Sequence, residues 1–191
     1  MIIKKSDFLK SASSIGGLPD NGFPEFAFIG RSNVGKSSLM NMLLDRKGLV
    51  KTSKKPGKTV LLNFFSVNDS FFFVDLPGYG FASRPRGEQE LWRKLIEEYL
   101  IKRETLVNIF LLIDARHGIM KIDEQMMEFL NYYRLSYTIV FTKIDKLNKN
   151  EASVIKFKNK GCFTASAVTG AGKEELLDFV EKNINAQKVE Q

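Results

Sequence analysis

The chain has 191 residues, of which 43% are hydrophobic, so it can bury one sizeable core but is too short for two comfortable domains. Its net charge of +7 favours an anionic partner such as RNA or acidic lipid, although charge bears on association rather than on fold. One cysteine excludes an internal disulfide, and no stretch approaches the length needed to span a bilayer. We therefore expect a single domain, residues 1–191, in a reducing compartment, with the cytoplasm as the default and no membrane partner.

The first strongly patterned part of the chain is an apolar run, Phe26 to Ile29, which predicts a buried strand. Residues 1–24 before it mix charged, glycine-rich and proline-containing pieces, and we interpret them as a lead-in segment. A helical pattern starts at Leu39. The residues between strand and helix are Gly30, Arg31, Ser32, Asn33, Val34, Gly35, Lys36, Ser37 and Ser38.

These nine residues have the composition of a phosphate-binding loop. Gly30 lets the chain leave the strand in a tight turn, and Gly35 lets the backbone approach a phosphate closely. Loop N–H groups and the positive end of the helix dipole then converge on an anion. We expect Lys36 to neutralise the β and γ phosphates of a nucleotide and the Ser37 hydroxyl to ligate Mg²⁺. The alternative is a glycine turn with a solvated lysine.

The rest of the chain alternates strands and helices. The predicted strands after the first are 60–67, 71–76, 106–113, 138–141 and 162–165, and the predicted helices after the first are 88–103, 122–134, 151–158 and 173–183. Only Asn68-Asp69-Ser70 separates the second and third strands, which forces an antiparallel hairpin. The sequence predicts a doubly wound α/β fold with a mostly parallel six-stranded sheet and one antiparallel edge strand. Residues 186–191 are expected to be a frayed tail.

In such a sheet, ligands bind at the carboxyl ends of the strands, so the residues that end each strand are candidates for a site. The third predicted strand ends in Asp75, Leu76, Pro77 and Gly78. The Asp75 carboxylate suits a water-mediated contact with Mg²⁺, and the Gly78 N–H can meet a γ phosphate without interference from a Cβ. Alone, this tetrapeptide is common and is often just a turn at the end of a strand.

A second strand end carries the candidate base-recognition residues. Thr142, Lys143 and Asp145 follow the strand 138–141. The Asp145 carboxylate can accept hydrogen bonds from N1–H and the exocyclic amine of guanine, while the Lys143 stem covers the base. The alternative is a solvated Lys-Asp pair at a helix start. Ser166 and Ala167, after the last strand, could donate a backbone N–H to guanine O6, although the dipeptide has little specificity.

The lysine-rich segment 46–59 is interpreted as a loop that moves. Its end, Gly57, Lys58 and Thr59, lies between the phosphate loop and Asp75. Thr59 could bring a second hydroxyl to Mg²⁺ only when a γ phosphate is present. The alternative is a β-branched residue that opens a strand.

These motifs together resemble those of the P-loop GTPases, and within them the EngB-type ribosome-assembly GTPases. The specific marks are the loop of residues 30–39, the segment 56–59, Asn63-Phe64-Phe65, the run Asp75-Leu76-Pro77-Gly78-Tyr79-Gly80, and residues 142–145. The resemblance implies a Ras-like fold, GTP/GDP and Mg²⁺ as ligands, Lys36, Thr59 and Gly78 as catalytic residues, and a role in maturation of the large ribosomal subunit in the cytoplasm.

Two residues depart from the wider GTPase pattern. Thr142 stands where asparagine is usual, which places more of the guanine selectivity on Asp145. Tyr79 stands where a glutamine often orients the attacking water, so slow intrinsic hydrolysis is expected. Tyr79 could instead be a packing aromatic, and the sequence leaves both roles open.

The sequence thus predicts a monomeric GTPase switch that contacts the large ribosomal subunit or its precursor. Three alternatives stay open: a basic RNA-binding module in which nucleotide is only structural, a GTPase of another RNA-related or cell-division process, and a small kinase or ATPase. Asp145 disfavours the last of these.

Overall fold

The computed structural model describes residues 1–51, 61–80, 86–148, 150–151 and 161–189. The strands are β1 (Ser6–Ala12), β2 (Glu25–Gly30), β3 (Leu62–Val67), β4 (Phe71–Asp75), β5 (Leu106–Asp114), β6 (Tyr137–Thr142) and β7 (Phe163–Thr164). The α-helices that lie within the described ranges are α1 (Lys36–Leu43), α2 (Arg86–Lys102), α3 (Lys121–Tyr132) and α4 (Lys173–Val189). Among the described residues no helix is long and apolar enough to cross a bilayer.

The strands form one seven-stranded sheet in the order β1-β3-β4-β2-β5-β6-β7. Strands β4, β2, β5, β6 and β7 are parallel, and β3 runs antiparallel to β4. Asn68 and Asp69, which join β3 to β4, both have φ of 50°, the left-handed conformation that a tight hairpin turn requires. The predicted doubly wound α/β class and the hairpin are confirmed, although the sheet has one strand more than expected.

The additional strand lies in the segment that was interpreted as a lead-in. β1 pairs antiparallel with β3 and forms the edge of the sheet, so β3 is not the edge strand. Its burial pattern explains why the sequence did not reveal it, since only the two end residues are buried. An irregularity in the pairing between Phe8 and Lys10 bends this edge, a feature that discourages pairing with other chains.

Both faces of the central strands are covered by helices. Along β2, Phe26 and Phe28 pack into the core beneath α1 and α4, whereas Ala27 and Ile29 pack beneath α2 and α3. This double burial is why the central strands read as uninterrupted apolar runs. Because β4, β2, β5 and β6 are parallel, their carboxyl ends lie together at one edge of the sheet.

The opposite end of β2 carries an ionic cluster around the fully buried Glu25. Glu25 accepts hydrogen bonds from the Tyr99 hydroxyl at 2.7 Å, from Arg103 Nε at 2.8 Å and from the Thr105 hydroxyl at 2.9 Å. Arg103 also donates to the Pro19 carbonyl, so the lead-in segment is attached to β2 and α2 here.

Other boundaries follow the predictions to within a few residues, with two exceptions. α4 continues to Val189, so most of the segment expected to fray is helical. Of the helix predicted over 151–158, residues 152–158 lie outside the described residues, and that prediction stays untested.

Candidate nucleotide-binding site

The loop between β2 and α1 is held in a conformation that depends on its glycines. Gly35 has φ of 101°, which favours glycine, and it directly precedes Lys36, the first residue of α1. A Cβ on Gly30 would lie 2.8 Å from the Leu112 carbonyl oxygen on the neighbouring strand. The predicted strand, loop and helix are therefore present, and backbone N–H groups at the start of α1 face the carboxyl edge of the sheet.

The segment after β4 lies directly against this loop because β4 and β2 are neighbours. A Cβ on Gly78 would lie 2.8 Å from the Gly30 carbonyl oxygen, so only glycine fits without a shift. The Tyr79 N–H donates to that same oxygen at 3.2 Å, and Arg31 and Tyr79 form a parallel bridge. The two segments predicted to contact the γ phosphate thus form one continuous backbone surface.

Lys36 and Asp75 meet at this surface. The Lys36 ammonium donates to the Asp75 carboxylate, and both side chains are largely buried, at 14% and 11% exposure. Asn63 Nδ2 approaches the other carboxylate oxygen at 3.5 Å. Ser37, which follows Lys36 as the second residue of α1, is partly exposed.

A hydroxyl and a carboxylate are oxygen ligands of the kind that Mg²⁺ prefers, so the donor set fits the predicted metal. Gly57, Lys58 and Thr59, which complete the predicted phosphate and metal contacts, lie outside the described residues. Their roles stay predictions.

The residues predicted to recognise the base come from the ends of β6 and β7. Asp145 Oδ1 accepts a hydrogen bond from the Ser166 hydroxyl at 2.6 Å, and this bond holds the pKa of Asp145 below its ordinary value. The Ser166 oxygen in turn accepts from the N–H groups of Val168 and Thr169, each at 3.2 Å. Asp145 is therefore held as an oriented carboxylate.

This side-chain role of Ser166 was not predicted from the sequence. Ser166 was predicted to act through its backbone, but its N–H donates to the Ala171 carbonyl at 3.0 Å. The Ala167 N–H is then the remaining candidate of this pair for guanine O6.

Thr142 and Lys143 both attach the base site to the phosphate loop. The Thr142 hydroxyl donates to the Val34 carbonyl at 2.6 Å. Lys143 Nζ donates to the Asn33 carbonyl at 2.5 Å. The stem of Lys143 lies across Gly35, since a Cβ added to this glycine would be 3.5 Å from Lys143 Cε. The threonine that replaces the usual asparagine thus has a defined structural partner.

Asp114, at the end of β5, contacts Lys143 and was not predicted from the sequence as a site residue. It accepts hydrogen bonds from Lys143 Nζ at 2.9 Å and from Arg116 Nε at 2.9 Å. Burial would raise the pKa of Asp114, but the bonds from Arg116 and Lys143 outweigh it and hold the pKa well below the usual range. The signal was available, because Asp114 is a carboxylate at a strand end, like Asp75.

The lowered pKa of Asp114 predicts a specific pH dependence of stability. The folded pKa is below the unfolded value of about 3.9, so the contribution is fully present above that value and is lost as pH falls through the folded pKa. We expect the unfolding free-energy difference between the protein and Asp114→Asn to stay constant from about pH 8 to about pH 5 and to shrink below about pH 4. Urea unfolding measures it, with Asp69→Asn at an exposed turn as control. A difference that changes between about pH 5 and 8 would contradict the prediction.

A buried polar cluster behind the phosphate loop was also missed. Asp123, on α3, is fully buried and accepts from the Tyr79 hydroxyl at 2.7 Å and from Arg31 Nε at 3.2 Å. Burial and the neighbouring Asp123 raise the pKa of the Tyr79 hydroxyl far above its ordinary value. Tyr79 is 5% exposed, which favours the packing role over the water-orienting one.

Comparison with known proteins relates this geometry to a family. A family model described as 50S ribosome-binding GTPase matches residues 25–143. A protein of Chlorobaculum parvum named probable GTP-binding protein EngB is 48% identical over 188 residues, covering 95% of this chain and 98% of that protein. The protein of the same name from Prosthecochloris aestuarii is 47% identical, with the same coverage.

Solved structures agree with this relationship. A crystal structure of a probable GTP-binding protein EngB superposes with a TM-score of 0.67 at 25% identity. The alignment covers 85% of this chain and 99% of that chain, so the similarity extends well beyond the phosphate loop.

Proposed function

The chain belongs to the EngB family of GTP-binding proteins and is a GTPase, and from that premise we propose that it is a GTP-driven switch in assembly of the large ribosomal subunit. The match over residues 25–143 to a family described as 50S ribosome-binding GTPase is the observation that carries this proposal. We further propose that the protein acts in the cytoplasm, as a monomer, on the large subunit or its precursor, without a membrane partner.

Hydrolysis of GTP transfers the γ-phosphoryl group to water without a covalent intermediate, so the protein contributes position and charge. In this proposal Lys36 neutralises charge on the β and γ phosphates, and N–H groups of the phosphate loop and Gly78 hydrogen-bond to phosphate oxygens. Mg²⁺, when bound, would neutralise further charge, held by Ser37 and Thr59 and through water by Asp75.

The structure supports slow intrinsic hydrolysis. The Tyr79 hydroxyl donates to Asp123, so it is engaged away from any attacking water. Tyr79 occupies the position in the motif where a glutamine often orients the attacking water, so faster hydrolysis would require an activating partner. We propose that the ribosomal particle, or a protein on it, supplies that activation.

Positive charge next to the nucleotide-dependent segments supports an RNA partner. Lys47 and Lys51, in the described part of the segment 47–59, are exposed, and the chain carries a net charge of +7. The phosphate backbone of rRNA binds such charge in a salt-dependent way. We propose that GTP binding presents this basic face, through the segment 47–59 and the segment 79–87 beyond its anchored first residue, Tyr79, and that hydrolysis withdraws it.

Co-sedimentation with large ribosomal subunits tests the proposal. We expect particle binding to be about tenfold tighter with a non-hydrolysable GTP analogue than with GDP, which corresponds to a coupling of about 1.4 kcal/mol. Lys47→Ala and Lys51→Ala should each reduce the salt dependence of binding by about one unit of slope if the lysine contacts a phosphate. Lys182→Ala, an exposed lysine on α4, is the matched control.

Two results would count against this function. Equal affinity of the GTP- and GDP-bound forms at one fixed salt concentration would argue against a switch. A Lys36→Ala variant that keeps full particle binding and cellular function would favour the RNA-binding module in which nucleotide is only structural.

A further inference from the structure

The cluster around Asp123 connects both phosphate-contacting segments to a helix outside the nucleotide site. Asp123 Oδ1 accepts from Arg31, in the phosphate loop, and from Tyr79, which directly follows Gly78. Its Oδ2 accepts from the Met120 N–H at 2.9 Å, which caps the first turn of α3. One fully buried carboxylate therefore joins the phosphate loop, the Gly78 segment and α3.

This cluster fixes the position of Gly78. The Tyr79 N–H donates to the Gly30 carbonyl at 3.2 Å, and Gly78 packs against that same carbonyl. With its backbone bonded to the loop and its hydroxyl bonded to Asp123, Tyr79 is held at both ends. Gly78, one residue earlier, has little freedom to move away from the loop.

The guanidinium of Arg31 makes its hydrogen bond to oxygen within this cluster through Nε alone. Among the described residues, Arg31 Nη2 is buried and has no hydrogen-bond partner, and Nη1 reaches only the Met120 sulfur, a weak acceptor. In the chemically similar cluster at Glu25, Arg103 donates through both Nε and Nη2 to oxygen acceptors.

We propose that Asp123 is a positioning residue that holds Gly78 against the phosphate loop through Tyr79 and Arg31, and thereby raises the affinity for GTP relative to that for GDP. The inference rests on the proposed nucleotide switch, in which the Gly78 N–H binds the γ phosphate. GDP has no γ phosphate. Loosening Gly78 therefore costs ordering free energy when GTP binds and costs nothing when GDP binds.

Two conservative variants test this role. Tyr79→Phe removes only the hydroxyl that reaches Asp123, and Asp123→Asn keeps the shape but removes the charge. We expect each variant to lower the affinity for a non-hydrolysable GTP analogue by about fivefold to tenfold, which is the effect of losing one hydrogen bond. The affinity for GDP should stay within about twofold of that of the parent protein. Titration of fluorescent nucleotides measures both constants.

The chain provides a matched control at the other end of β2. Tyr99 donates to the fully buried Glu25 as Tyr79 donates to Asp123, and both hydrogen bonds are 2.7 Å long. Tyr99→Phe should lower stability by a similar amount but leave the ratio of GTP-analogue to GDP affinity unchanged. Amide hydrogen exchange at Gly78 and Tyr79 should accelerate in the Tyr79→Phe and Asp123→Asn variants and not in Tyr99→Phe.

The outcomes separate the inference from the function on which it rests. If the parent protein binds both nucleotides and the Tyr79→Phe ratio equals the parent ratio, the positioning role is wrong and the switch survives. The positioning role is also wrong if Tyr79→Phe weakens GTP-analogue and GDP binding equally. It is wrong as well if Tyr99→Phe changes the ratio of the two affinities as much as Tyr79→Phe does. Failure of the parent protein to bind the GTP analogue would overturn the nucleotide switch itself. If Asp123→Asn does not fold, Tyr79→Phe decides the question.

Discussion

Replacing Asp145 with asparagine is expected to lower the affinity for guanine nucleotides on the order of 10⁴-fold and to shift the preference toward xanthine nucleotides. Asp145 is predicted to accept from N1–H and from the exocyclic amine of guanine. An asparagine amide presents a donor where that amine needs an acceptor, whereas xanthine carries a carbonyl at the same position and can be complemented. The loss is large because polar groups of the site and of the bound base are left unpaired.

The variant should fold, which makes the result interpretable. The Ser166 hydroxyl donates to Asp145 Oδ1, and an asparagine oxygen can accept the same bond. Asp69→Asn makes the same chemical change at an exposed turn and should leave both affinities unchanged. Competition of labelled GDP by guanine, xanthine and adenine nucleotides measures the preference. If the asparagine variant still favoured guanine, or if adenine competed equally with guanine in the parent protein, the base-recognition role of Asp145 would be wrong.

Removal of the Glu25 side chain should produce a large loss of stability. Glu25 is fully buried and accepts from Tyr99, Arg103 and Thr105. Glu25→Ala leaves the Arg103 guanidinium, which is only 18% exposed, without its carboxylate. We expect a loss of about 3–5 kcal/mol in the free energy of unfolding, which for a domain of this size lowers Tm by about 10 °C.

Two further variants distinguish a buried ion pair from general damage to the helix. Glu25→Leu combined with Arg103→Met should recover most of the loss, since apolar residues of similar volume often replace a buried pair without cost. Lys102→Ala breaks the exposed Glu98–Lys102 pair next to Arg103 and should cost less than about 1 kcal/mol. Urea unfolding measures all of them, and a Glu25→Ala effect no larger than that of Lys102→Ala would refute the assignment.

The fold class could be predicted because buried parallel strands have a simple sequence signature. Both faces of β2, β5 and β6 meet helices, so these strands are apolar along most of their length. The edge strand β1 lacks this signature. It needs only backbone hydrogen bonds to β3, and its side chains are mostly exposed, so no apolar pattern marks Ser6–Ala12 as a strand.

The residues of the candidate site also fall into those that the sequence could predict and those that it could not. Local backbone geometry requires glycine at positions 30, 35 and 78, and the proposed phosphate contact calls for a lysine at 36. Such requirements produce fixed spacings that the sequence shows directly. Asp114, the Ser166 hydroxyl and Asp123 act on side chains that are distant in the chain. Arg31 and Asp123 are 92 positions apart, and no local spacing records that contact.

The primary structure is therefore sufficient to predict a doubly wound α/β domain, and it proposes the strand ends as the place where a phosphate, a metal and a guanine base bind. Packing settles what the motifs leave open: Tyr79 lies against Asp123, Ser166 orients Asp145, and a lead-in segment forms the edge of the sheet. The reason is physical. Backbone conformation and ligand charge constrain neighbouring residues, whereas a buried polar side chain is constrained by whichever partner the folded chain brings within hydrogen-bond distance.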